Sequence, residues 1–173
     1  MSLPNPNHLL DQARTLSRQP SAGARRQTDL RRAVSAVYYA LFHAILSECA
    51  DTIIGSTRRD ELAYRLVYRS IAHGQVKSLC EELAKPNVSA KYYGYVPDKM
   101  KLGASISSVA DAFLSLQGKR HSADYDPQLR LTLSELELTL LEGQAALVDW
   151  RTADRKDRER FVHLLLFPPK DSR

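Results

Sequence analysis

Cysteine is nearly absent: Cys49 and Cys80 are the only two in 173 residues, too few for a disulfide framework. Each sits in an apolar stretch with helical spacing, which suits two buried thiols in a reducing compartment. Glycine is scarce as well, with 7 residues. Apolar positions keep a helical period over most of the length, so disorder is expected only at the ends. The five histidines, His8, His43, His73, His121 and His163, form no pair at metal-ligand spacing, and no metal site is expected. There is no glycine-rich phosphate loop, and spacing alone assembles no Ser-His-Asp set, so no cofactor is expected either. No apolar run approaches the ~20 residues that span a bilayer. Met1 to His8 lacks the basic start and apolar stretch of a signal peptide. Those absences point to a cytoplasmic chain with no membrane partner.

What is there suits one domain over residues 1–173. Hydrophobic residues make up 43% and charged residues 26%, ordinary globular values. The formal charge of +5 permits a polyanionic partner without demanding one.

The spacing predicts a first helix from about His8 to Arg18, with Leu9, Ala13 and Leu16 on one face and Pro20 to Gly23 breaking it. The second is the clearest: Leu30, Ala33, Val34, Val37, Leu41, Ala44 and Ile45 form an amphipathic stripe. Ala36 and Ala40 widen it, as on a central helix covered on more than one side. After a turn at Gly55, Thr57 to Asp60 resembles a capping box, and Leu62, Ala63, Leu66 and Ile71 continue as helix. Gly74 either stops that helix or kinks it, before Val76, Leu79, Cys80 and Leu83 resume the period as far as Pro86. Residues 86–103 show no period and carry Tyr92, Tyr93, Tyr95 and several lysines, in a loop long enough to be functional. A further helix through Ile106, Val109 and Phe113 is expected to end near Arg120, leaving Ser122 to Leu131 as a connector. Thr132-Leu133-Ser134-Glu135 is a capping box for the last long helix. Beyond Trp150 lie a charged patch, Asp154 to Arg160, and an apolar block, Phe161 to Phe167. That block must pack either on its own chain or against a second copy. Nothing reads as a strand, so the expected architecture is all-α, with mostly antiparallel neighbours.

Two polar groupings stand out. Arg32, Tyr39 and His43 share one face of the second helix, where they could meet a ligand or satisfy one another against neighbouring helices. Arg69 and His73, one helical turn apart, could bind phosphate or complement a helix terminus. The densest cluster is Lys119 to Pro127. If the helix continues past Arg120, Arg120 and Asp124 stand at i and i+4 and form an ion pair. His121, the neighbour of Arg120, then points ~100° away.

Two segments together resemble a known family. Leu30-Arg31-Arg32-Ala33-Val34-Ser35-Ala36-Val37-Tyr38-Tyr39-Ala40-Leu41-Phe42-His43 is similar to the opening core helix of HEPN domains (higher eukaryotes and prokaryotes nucleotide-binding). Arg120-His121-Ser122-Ala123-Asp124-Tyr125-Asp126 resembles the Arg-x-x-x-Asp-Tyr-Asp helix ending of one HEPN subgroup. The likeness covers roughly residues 26–147. It implies an antiparallel bundle of four to five helices with a core near 26–150, leaving 151–173 as an additional C-terminal helical segment, and a homodimer. It also implies an RNA or nucleotide ligand, and either a metal-independent endoribonuclease or a non-catalytic module paired with a cognate antitoxin or nucleotidyltransferase. Toxin–antitoxin, defence or RNA-processing systems are the implied settings. Arg120 matches the family's catalytic Arg. Tyr125 stands where a catalytic member carries His, so the expected site is Arg120, Tyr125, His121 and Asp124, with Arg32, Tyr39, His43, Arg69 and His73 as binding candidates. Cleavage needs a base for a ribose hydroxyl, and a phenol near pKa 10 is a poor one at pH 7.

Overall fold

The computed structural model describes residues 3–18, 26–96 and 102–170, and its α-helices and 3-10 turns, without a strand among the described residues, make an all-α protein. In chain order these are α1 (Pro6–Ser17), α2 (Gln27–Ile53), α3 (Leu62–Ser70), α4 (His73–Ala84), α5 (Ala104–Tyr125), α6 (Leu133–Thr152) and α7 (Arg155–Leu166). Short 3-10 turns lie at Ser56–Arg58 and Ala90–Tyr92. The expected break at Pro20 to Gly23 lies outside the described residues. The chain divides into two compact units: Ser2–Ala44 with Ala112–Leu147, and Ile45–Asp111 with Val148–Arg173.

The first unit holds the groove considered below. Its α1 starts at Pro6, ahead of the expected His8, with the Asn5 side chain accepting from the Asn7 N–H at 2.9 Å and Pro6 inside the first turn. Leu10 and Ala13 are the positions α1 buries. From α2, Ala33, Val37, Tyr38, Ala40 and Leu41 are wholly buried, so the helix is covered on several sides. Tyr38, Phe42 and Phe113 form an aromatic cluster, with ring centroids 5.5 Å apart for Tyr38 and Phe113 and 6.0 Å for Tyr38 and Phe42. Thr132 caps α6 with the full reciprocal box: Glu135 accepts from the Thr132 N–H at 2.7 Å, and Thr132 Oγ1 accepts from the Glu135 N–H at 3.2 Å. Gly143 is required where α6 meets its neighbours, because a Cβ there would run into Val37.

In the second unit the helix boundaries differ from those expected. Thr57 caps nothing; it sits in the 3-10 turn, and α3 begins at Leu62 behind Glu61. The chain then breaks at extended Ile71 and Ala72, and Gly74 lies inside the first turn of α4 as neither stop nor kink. Gln75 stabilises the new start by accepting from the Ala72 N–H at 2.6 Å. Ile71 is buried at 6% exposure, and neither residue of the break is a Gly or Pro. Cys49 and Cys80 are both buried and unpaired by any disulfide.

Most of the apolar block at 161–167 becomes the inner face of α7, with Phe161, Val162, Leu164 and Leu165 buried and Phe161 edge-on to Trp150 at 5.3 Å, while Phe167 caps the helix and is exposed. Asp154 caps that helix, accepting from the Lys156 N–H at 2.8 Å. Arg158 reaches back to the last carbonyls of α6, donating to Ala153 at 2.8 Å and Arg151 at 2.9 Å. Between α4 and α5, Val88, Tyr92 and Val96 turn inward, while Tyr93 and Tyr95 remain exposed. Glu82 organises this stretch by accepting from Lys85 and from the Ser89 N–H. Lys99 and Lys101 lie outside the described residues.

By length and composition, α2 could cross a membrane, but 72% of its apolar window is buried inside the protein. Core helices of water-soluble proteins pass the same test.

Candidate functional site

α5 does not end near Arg120. It continues to Tyr125, so Ser122 to Tyr125 are helical and only the residues after them form the connector to α6. The physical reason lies on α2. Arg31 donates to the carbonyls of Ala123 at 3.0 Å, Asp126 at 2.7 Å and Leu129 at 2.7 Å. A guanidinium with five donors thereby meets backbone acceptors that a helix C-terminus otherwise leaves orphaned, and its charge complements the helix dipole. Gln27 adds a second clamp, donating to the Leu131 carbonyl and accepting from the Leu131 N–H, both at 2.9 Å. Asp126 tightens the connector by accepting from the Gln128 N–H at 2.8 Å.

Clamped in this way, the start of α2 and the end of α5 enclose a groove of about 460 Å³. Arg31, Arg32, Ser35 and Tyr39 line it from α2, and Arg120, Asp124 and Tyr125 from α5. Arg120 and Asp124 form the i, i+4 ion pair, with Nε 2.7 Å from Oδ2 and side chains only 21% and 26% exposed. The Nε–H nevertheless lacks hydrogen-bond alignment with any acceptor among the described residues. Arg120 Nη2 donates to the Tyr39 hydroxyl at 3.3 Å. Asp124 is held from its other side, where Oδ1 accepts from Ser35 Oγ at 2.7 Å. Burial is the largest single influence on Arg120 and lowers its pKa. Tyr39, Asp124 and Tyr125 together outweigh it, so the pKa is raised overall and the group stays cationic.

Aromatic rings run along this cation. The Arg120 guanidinium carbon lies 5.7 Å from the ring centroid of Tyr39 and 5.7 Å from that of Tyr125. His43 packs nearly parallel to Tyr39 at 6.0 Å, and His121 packs on Tyr125 at 5.0 Å. The order along the ladder is therefore His43, Tyr39, Arg120, Tyr125, His121. Tyr125 is 65% exposed, so part of its ring is open to solvent.

Of the residues singled out from sequence, Arg120, Asp124, Tyr125, Arg32 and Tyr39 line one groove. His121 is exposed at its rim and His43 stands behind Tyr39; neither lines it. Arg69 and His73 belong to the second unit and are not one helical turn apart. Arg69 closes α3 and His73 opens α4, with the extended Ile71 and Ala72 between them. Arg31, Gln27 and Ser35 also build the site, although the sequence analysis gave them no role. The signal for two of them was available: Arg31 and Ser35 are one turn apart, and Ser35, 6% exposed, interrupts an otherwise apolar run. No group of three or more metal-ligating side chains occurs among the described residues.

Comparison with family models, curated proteins and solved structures gives no match.

Proposed function

We propose that this chain is a HEPN-like, RNA-associated protein whose groove between α2 and α5 seats the phosphate backbone of an unpaired RNA segment. The observation that carries the reading is the convergence of two guanidiniums, Arg32 and Arg120, against the single carboxylate of Asp124 beside an exposed tyrosine face, with Arg31 adding its charge while its donors hold carbonyls. Cations hold phosphate, and a tyrosine face stacks on any unpaired base. Arg32 is exposed and has no hydrogen-bond or ion-pair partner among the described residues, so its donors face solvent at the groove.

A metal-independent endoribonuclease is the second reading, favoured by the imidazole of His121 against Tyr125 one position from Arg120. His121 is outside the groove lining, so tight binding with slow or absent cleavage is the expected behaviour. A non-catalytic dimer that binds a nucleotide, a cognate antitoxin or a nucleotidyltransferase is the alternative; of the apolar block that motivates it, Phe161, Val162, Leu164 and Leu165 are buried within the chain and Phe167 is exposed.

The test is fluorescence anisotropy with a single-stranded oligoribonucleotide in EDTA, followed by gel analysis of the same RNA. Arg32→Ala should weaken binding by roughly 3–10-fold, with a salt slope shallower by about 1. Arg120→Ala should reduce binding further and abolish any cleavage. Equal affinity for the wild type and both variants would refute the groove as the RNA site.

A further inference from the structure

We propose that Asp124 sets the ligand class of this groove, shifting its preference away from doubly charged phosphomonoesters and toward the singly charged phosphodiesters inside an RNA chain. This inference rests on the RNA reading above and concerns which phosphate that site takes.

The geometry gives Asp124 a fixed station. Ser35 Oγ donates to its Oδ1 at 2.7 Å, and Ser35 is itself only 6% exposed, on a fully helical stretch of α2. The carboxylate is thus held by the protein as well as by the cation and does not depend on Arg120 for its position. Its Oδ2 lies 2.7 Å from Arg120 Nε, off the line of the Nε–H. The hydrogen bond shown for the Arg120 Nη groups among the described residues is that of Nη2 to the Tyr39 hydroxyl, long at 3.3 Å. An incoming phosphate therefore meets the Nη end while Asp124 stays beside Nε. The width of a guanidinium sets the two anions on the order of 5 Å apart.

At that separation repulsion scales with the ligand's charge. A phosphodiester carries one negative charge, and a monoester carries close to two above its second pKa near 6. Whatever factor Asp124 imposes on the diester is therefore squared for the monoester. Free nucleotides and terminal phosphates are penalised most. The remaining cations do not erase this bias: Arg31 has committed donors to three carbonyls, and Arg32 attracts both ligands in the same proportion to their charge.

The experiment compares a 3′-labelled oligoribonucleotide with a 5′-hydroxyl end and a nucleoside monophosphate as competitor, at pH 8 and fixed ionic strength. The proteins are wild type, Asp124→Asn, Asp124→Ala and Arg32→Ala, each checked for folding by circular dichroism. Asp124→Asn should tighten the oligonucleotide by about threefold and the monophosphate by about tenfold. Asp124→Ala should move both in the same direction, which separates the charge from the contact with Ser35. An unchanged ratio of the two affinities in Asp124→Asn, or weaker binding of both ligands in both Asp124 variants, would overturn the assignment. If oligonucleotide binding depends on Arg32 while that ratio stays fixed, only the role of Asp124 falls. If no protein binds either ligand, the RNA reading falls with it.

Discussion

Arg31 donates to three backbone carbonyls, while its neighbour Arg32 is exposed and makes no such bond among the described residues. Consecutive residues on a helix point ~100° apart, and that rotation separates a structural cation from one open to ligand. The same helix geometry keeps His121 off the groove although it is next to Arg120. Both thiols are buried, as their apolar helical surroundings suggested. Burial, helped by Glu48, pushes Cys49 up to about 12, and burial raises Cys80 as well. Tyr68 is pushed up to about 12 by burial. All three groups hold their protons in the folded state at pH values where the unfolded chain releases them. Stability is therefore fully present below about pH 8.5, the ordinary thiol value, and falls as pH rises from there. Urea midpoints measured from pH 7 to 10 should decline above that point, and both cysteines should resist alkylation at pH 8 until the chain is unfolded. A flat stability profile to pH 10 would contradict the burial argument.

At the scale of elements, the site exists because α5 continues one turn further than its own sequence advertises. The cluster from Lys119 to Pro127 reads as a break, since polar residues and a proline usually mark one. The acceptors that end would otherwise leave bare are taken by Arg31, some 92 residues earlier in the chain. That contact has no local signature, so the helix end was not legible from sequence. The break at Ile71 and Ala72 was hidden as well, because neither residue is a glycine or proline. Where the cause is local, the sequence sufficed. The broad apolar surface of α2 and the Thr132–Glu135 box both appear where spacing put them. The site was half legible in the same sense: Arg120, Asp124, Tyr125, Arg32 and Tyr39 were visible as residue types, and Arg31, Gln27 and Ser35 act only once the chain has folded. Arg31→Ala should cost about 2 kcal/mol, because charge-assisted bonds to helix-end carbonyls are lost. It should also loosen the last turn of α5, which hydrogen exchange at Ala123 to Asp126 would report. Arg32→Ala should change neither. Equal protection in wild type and Arg31→Ala would show that the clamp is dispensable.

For the whole molecule, the positive charge of +5 comes with two exposed aromatic settings: the ladder around Arg120, and Tyr93 and Tyr95 between α4 and α5. The account commits to the first, because there a cation is ordered by Tyr39 and Asp124 and stands beside an open ring. Photo-crosslinking a 5-iodouridine oligoribonucleotide to the full chain, with the adduct mapped by mass spectrometry, decides between them. The account predicts adducts on Tyr125 or His121 that disappear in Arg120→Ala. Adducts confined to Tyr93 and Tyr95, and unchanged in that variant, would contradict it.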